Sequence, residues 1–306
     1  MISTDLTERR TASPSPRQAR AVDSIYRPPT LHWVGDGFRV AGYFSIIPDA
    51  VRRLSPFLLL DYHPAYDYPP TQEKRGVGVH PHRGFETVTL AFQGSVAHHD
   101  SAGNGGVIGP GDVQWMTAAS GILHKEYHEA SYARAGGPFQ MAQLWVNLPR
   151  KHKLAPPRYQ GLLAEQMGLV ELPDQGVVRV VAGEYRGVKG PAQTFTRVNL
   201  FDVRLNEQGK LDFEFPARDN TAILVMEGEI ELNGEDRASA GDFVLFTNEG
   251  ERITALARSK AQLLVLSGEP IDEPVVQYGP FVMNEEREIH QAFLDFSRGK
   301  FGNLDD

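Results

Sequence analysis

The sequence contains no cysteine, which excludes disulfides, thiolate nucleophiles, zinc–thiolate sites and iron–sulfur clusters. Any metal must therefore be held by histidine, carboxylate and water, and the missing thiols fit a reducing, cytoplasmic setting. No apolar run approaches the roughly 18 residues that a membrane-spanning helix needs. No block of Lys and Arg interrupts a formal net charge of −8, so neither a membrane nor a direct nucleic-acid partner is expected. The opening MISTDLTERRTASPSPRQAR lacks the apolar centre of a secretory signal. Asp5, Glu8, Pro14 and Pro16 also oppose an amphipathic helix, and residues 1–25 are expected to form a disordered tail.

Helical periodicity is scarce as well. Instead 30 Gly and 21 Pro punctuate short apolar or alternating runs, the pattern of an all-β sandwich or barrel. Strands are expected at 85–92, 113–116, 141–148, 177–181, 221–226, 242–246 and 262–266. Breaks fall at the Pro- and Lys-rich stretch 149–158, followed by a short helix over 161–167, and at the turn segment 269–274. A weak repeat relates the halves: FQGSV then PGDVQW in the first, MEGEI then AGDFVLF in the second. Each reads strand, Gly turn, strand, Gly-Asp turn, strand, and implies two copies of one antiparallel jelly-roll barrel. The resulting division is a tail (1–25), a first barrel (26–150), a linker (151–175), a second barrel (176–268) and a C-terminal extension (269–306). In that extension Ile289, Phe293 and Phe296 make an apolar stripe at helical spacing, with Asn284 to cap its start, Glu285 and Glu286 in its first turn and Gly299 after its last. The stripe is expected to pack on a barrel wall rather than to form a dimer, and the chain to be a monomer.

Histidine is distributed unevenly: eight of the ten lie between positions 32 and 128, and beyond His152 only His290 remains. The repeat is thus symmetric in scaffold and asymmetric in chemistry. His80 and His82, in HPHRGFETVTL, are two apart on a strand and share a face. His124 and Glu126, in GILHKE, repeat that spacing. On neighbouring barrel strands these four side chains can converge on one ion. Three imidazoles and a carboxylate suit iron, nickel, cobalt, manganese, copper or zinc. The second barrel lacks such residues, and its interior is expected to be filled by Val, Leu, Ile and Phe.

The run HPHRGFETVTL…GNGGVIGPGDVQWMTAASGILHKE, with QLWVNLP (143–149) and SGEPIDEPVVQYGPFVMN (267–284), closely resembles the pirin family of bicupins. The resemblance covers nearly all of the chain from His32 to Gly299. It implies an all-β fold of two cupin (jelly-roll β-barrel) domains with a short C-terminal helix, and one mononuclear metal, usually iron, in the first barrel. Carried over by position, the metal ligands are His80, His82, His124 and Glu126, all present here. Several pirins are described as quercetin 2,3-dioxygenases, so the resemblance implies a flavonol substrate and dioxygen. Glu126 would then also be catalytic, loosening from the metal to take the substrate's hydroxyl proton. Pirins are also described as metal- or redox-dependent regulators that bind a transcription factor or a metabolic enzyme, which would make a protein the partner.

Other polar positions carry weaker expectations. Glu86 stands where many other cupins place a carboxylate ligand, but in pirins the later His-x-Glu supplies it, so Glu86 is expected beside the site or in the scaffold. His98 and His99 face opposite sides of a strand, so at most one looks inward. His128 could extend the face of Glu126, although a ligand role is not favoured. Asp100, Ser101, Gly103 and Asn104 read as turn chemistry, and Phe85, Phe92 and Trp115 as core.

Overall fold

The computed structural model describes residues 18–306, and almost all of its regular structure is antiparallel strand. Each expected strand is present, some extended by a few residues: Phe85–Gln93, Val113–Thr117, Gly137–Asn147, Gly176–Ala182, Asn220–Glu227, Phe243–Phe246 and Ala261–Gly268. Their apolar and β-branched residues are buried on both faces, because each strand lies between a barrel interior and the opposite barrel.

Each barrel pairs a seven-stranded sheet with a four-stranded one. In the first, the large sheet runs Arg158–Leu162, Val113–Thr117, Phe85–Gln93, Gly137–Asn147, Phe57–Tyr68, Phe38–Gly42, His32–Val34. The small sheet runs Gly76–His82, Ile122–His128, Val96–Asp100, Gly105–Ile108. The second barrel repeats the order: Val22–Tyr26, Phe243–Phe246, Asn220–Glu227, Ala261–Gly268, Val198–Leu205, Gly176–Ala182, Gly168–Leu172, against Lys210–Glu214, Arg252–Ala257, Glu229–Leu232, Asp236–Ser239. The Gly-Asp turns match bond for bond. Gly111 N–H donates to Ala91 O and Gly241 N–H to Val225 O, both at 2.7 Å. Asp112 caps Gly109 N–H at 2.9 Å and Asp242 caps Ser239 N–H at 2.8 Å. Gly111 and Gly241 have φ of 91° and 89°, a conformation that costs other residues strain.

The two large sheets pack against each other through their outer faces. Val88, Trp115, Leu144 and Val146 of the first meet Leu200, Leu224, Phe243 and Leu264 of the second in one buried cluster. A separate cluster of Phe201, Phe213, Phe215, Ile230, Leu232 and Ile253, with its neighbours, fills the interior of the second barrel.

The expected boundaries need correction at three places. Residues 1–17 of the expected tail lie outside the described residues, but 18–25 are ordered. Val22–Tyr26 pairs with Phe243–Phe246 at the edge of the second barrel, and the buried Arg20 guanidinium donates to Asp219 O and Pro216 O and to Thr221 Oγ1. The expected linker contains two strands, Arg158–Leu162 and Gly168–Leu172, one at the edge of each large sheet. Its Arg158–Leu162 closes the first barrel's edge where a helix over 161–167 was expected, and only a single turn, Ala164–Gln166, is helical. Lys153 is buried there, its ammonium donating to Gly84 O, Val282 O and Asn147 Oδ1, and burial lowers its pKa to about 7. The terminal helix, Glu286–Ser297, is capped by Glu285 and Glu288 rather than by Asn284. It buries Ile289, Ala292 and Asp295, whereas Phe293 and Phe296 remain 39% and 41% exposed. The buried Asp295 displaces the stripe: it pairs with Arg83 at 2.9 Å, which stacks on Phe301.

Candidate metal centre

The small sheet of the first barrel carries the chemistry on its inner face. His80 lies opposite His124, and His82 opposite Ile122. Between His124 and Glu126 the register slips, so that Glu126 faces Val77 and the strand Gly76–His82 bulges at Gly78 and Val79. The bulge turns His80 inward and frees the Gly78 carbonyl to accept from His80 Nδ1 at 2.8 Å. That bond fixes the tautomer and leaves the lone pair of His80 Nε2 for the barrel interior. His82 is oriented similarly by Pro280 O from the C-terminal extension, at 3.4 Å.

The third imidazole is oriented through His98. Gln114 Nε2 donates to Glu126 Oε1 at 2.9 Å and to His98 Nδ1 at 3.1 Å, which makes His98 Nδ1 an acceptor. His98 Nε2 then carries the proton, 3.7 Å from Asp100 Oδ2. His124 Nδ1, 3.4 Å from His98 Nδ1, must in turn be the donor. Its Nε2 keeps a lone pair, is buried, and has no hydrogen-bond partner among the described residues. A buried nitrogen without a partner is costly unless a ligand meets it. Donor atoms of His80, His82 and His124 lie within 4.8 Å of one another, and so do those of His98, His124 and Glu126. His124 belongs to both groups, and each group could hold a metal ion. Burial holds His82 and His124 well below the usual imidazole range, with neighbouring imidazoles acting in the same direction. Neutral imidazole is the form that binds a metal.

Glu126 is fixed by three neutral donors: Thr89 Oγ1 and Gln114 Nε2 on Oε1 (3.2 and 2.9 Å), and Gln143 Nε2 on Oε2 (2.9 Å). In front of it lies a cavity of about 190 Å³ that reaches His80 and His82 and is walled by Val34, Phe38, Leu59 and Trp145.

Residues 37–146 match the pirin family and residues 200–302 the pirin C-terminal cupin domain. A Pseudomonas aeruginosa protein, named provisionally as a quercetin 2,3-dioxygenase, is 49% identical over 92% of this chain and 98% of its own length. The chain belongs to the pirin family. Mouse pirin is 36% identical over 84% of this chain and 87% of its own length. Among solved structures, a quercetin 2,3-dioxygenase of Acinetobacter baumannii superposes with a TM-score of 0.90 at 44% identity, covering 94% of this chain and all of that one.

Several other positions of interest in this pirin lie outside the expected ligand set. Glu86 points to the outer face of its sheet, where Thr117 Oγ1 donates to it at 2.6 Å and Arg158 lies 4.0 Å away, and burial raises its pKa to about 7. It belongs to the scaffold. His128 bonds Gly37 O through Nε2 and stacks on Phe139, and burial lowers its pKa to about 4. His98 is buried and His99 exposed, as alternation requires. Asp100 caps its own turn, accepting from the N–H of Ala102 and of Asn104 at 2.9 Å. Trp115 and Phe92 are inter-barrel core, whereas Phe85 packs on Trp145 and on the His82 ring. Gln114, Gln143 and Thr89 were not singled out in the sequence. For the two glutamines a signal was there: each sits inside an apolar run, DVQWM and AQLWV, on the face that alternation turns inward.

Proposed function

We propose that this pirin is a metal-dependent dioxygenase that cleaves flavonols such as quercetin, with one iron held by His80, His82, His124 and Glu126. The observation that carries the proposal is the set of oriented imidazoles beside Glu126 at the end of a cavity with apolar walls. The names of the Pseudomonas and Acinetobacter relatives support the same activity. A bound iron would supply a Lewis acid and a redox centre for the adjacent carbonyl and hydroxyl oxygens of the flavonol and for dioxygen.

The remaining work falls to the chain. Glu126 takes the flavonol hydroxyl proton, and Gln114, Gln143 and Thr89 hold its carboxylate in place for the transfer. Leu59, Phe38 and Trp145 exclude water and present apolar surface to the aromatic rings. At about 190 Å³ the cavity is smaller than the roughly 300–1,000 Å³ of pockets that bury a whole small molecule. The chelating end of a flavonol therefore enters, and the rest occupies the mouth. Both oxygen atoms of dioxygen end in the ring-opened ester, and the carbon between the two cleaved bonds leaves as carbon monoxide.

Oxygen uptake and carbon monoxide release by iron-reconstituted protein given quercetin test the proposal. Equimolar consumption and release are expected. A fully loaded protein that takes up no oxygen with any flavonol would overturn it and favour the regulatory role described for other pirins.

A further inference from the structure

One carboxylate of the cavity is left over. Asp61 lies in the centre of the strand Phe57–Tyr68, in register with Gln143 on the neighbouring strand. The two side chains therefore share the inner face, and both line the cavity with His80, His82 and Glu126. Gln143 spends its amide on Glu126, and among the described residues no donor forms a hydrogen bond or ion pair with Asp61. The cavity wall it shares also carries Val34, Val40, Leu59 and Trp145, and burial raises its pKa to about 6. The exposed His32 lies close by. It approaches Asp61 beside Gly42, where a Cβ would lie 3.1 Å from Asp61 Oδ1 and 3.2 Å from the His32 ring. A carboxylate placed among apolar side chains without a donor is unfavourable in the free protein, and a ligand that brings a donor relieves it.

We propose that Asp61 is a specificity-determining residue of this cavity, accepting a hydrogen bond from a substrate hydroxyl other than the one that meets the metal. The proposal rests on the flavonol-binding role of the site. An ionised carboxylate can only accept, so the group it selects is a phenolic or enolic O–H. The substrate class is thereby narrowed to polyhydroxylated aromatics that chelate and carry a further hydroxyl within reach of the cavity wall. Asp61 belongs to neither donor group and, among the described residues, makes no hydrogen bond or ion pair, so substitutions there leave the ligand set and its orienting bonds in place.

The experiment is an anaerobic absorbance titration of the iron-loaded protein with two flavonols. Quercetin and 3-hydroxyflavone share the chelating hydroxyl and carbonyl, and only quercetin carries further hydroxyls. Wild type should bind quercetin at least about 10-fold tighter than 3-hydroxyflavone, the scale of one hydrogen bond to a charged group. Asp61→Leu should lose that preference while binding 3-hydroxyflavone within about 2-fold of wild type at unchanged iron content. Asp61→Asn, which retains an acceptor oxygen, should fall between them. Equal binding of both flavonols by wild type overturns the proposal, as does a preference that survives in Asp61→Leu. Binding with the expected preference but no oxygen uptake when air is admitted overturns the dioxygenase and leaves the role of Asp61 standing. Failure to bind either flavonol overturns both.

Discussion

The two barrels differ less in backbone than in what three matching strands carry inward. By sheet order, Gly76–His82, Ile122–His128 and Val96–Asp100 correspond to Lys210–Glu214, Arg252–Ala257 and Glu229–Leu232. The first set turns His80, His82, His124, Glu126 and His98 to the interior. The second turns Leu211, Phe213, Ile253, Ala255, Ile230 and Leu232 there, all buried in one apolar cluster. The lesson concerns what each interior costs. Buried imidazoles and a carboxylate need fixed hydrogen bonds and a ligand to offset their desolvation, so the first barrel exchanges stability for a site. The second gains dispersion and hydrophobic burial and supplies the rigid wall against which the first is held.

Substitutions in the two interiors should therefore fail in different ways. The largest effect is expected at Glu126. Glu126→Gln keeps an oxygen that can ligate but cannot take the proton, so flavonol turnover should fall by roughly 10²–10⁴-fold while much of the metal is retained. Oxygen uptake measured beside iron analysis separates the two. Loss of iron in proportion to activity would reduce Glu126 to a ligand. In the second barrel, Phe213→Ala empties a fully buried position and should cost about 3–5 kcal/mol in denaturant unfolding. Its iron content per folded chain should not change.

Smaller, and on the outer face of the first barrel, is the effect of Glu86. Its folded pKa of about 7 stands above the ordinary 4.5, so the folded state binds the proton more tightly than the unfolded one. Stability from this group is present below about pH 4.5 and is lost as pH rises to about 7. Glu86→Gln removes that loss. Relative to wild type it should gain up to about 3 kcal/mol at pH 8 compared with pH 4, measured as the difference in denaturant midpoints. A difference independent of pH would show that Glu86 titrates alike in the folded and unfolded states.

Much of the comparison between the barrels was legible in the residues. Alternating apolar runs placed the strands, the paired Gly-Asp turns exposed the duplication, and the i, i+2 spacing of His80 with His82 and His124 with Glu126 put each pair on one face. Elements stabilised by distant pairing were not legible. Val22–Tyr26 is short and polar, and only its contact with Phe243–Phe246, over 200 residues later, makes it a strand. Arg158–Leu162 lacks alternation because it is an edge strand, half covered. The β-bulge that allows His80 and Glu126 to share an interior leaves no mark beyond two glycines in GVGVHPH. Asp61 was invisible for another reason. A single Asp at the end of FLLLD reads as the end of a strand, whereas the strand continues to Tyr68.

The measurement that bears most directly on the asymmetry is the number of metal ions per chain. Protein saturated with ferrous iron under anaerobic conditions and freed of excess should carry one ion, and His124→Ala, which removes the imidazole common to both donor groups, should carry close to none while remaining folded. Two ions per wild-type chain, or one that persists in His124→Ala, would contradict a single centre in the first barrel.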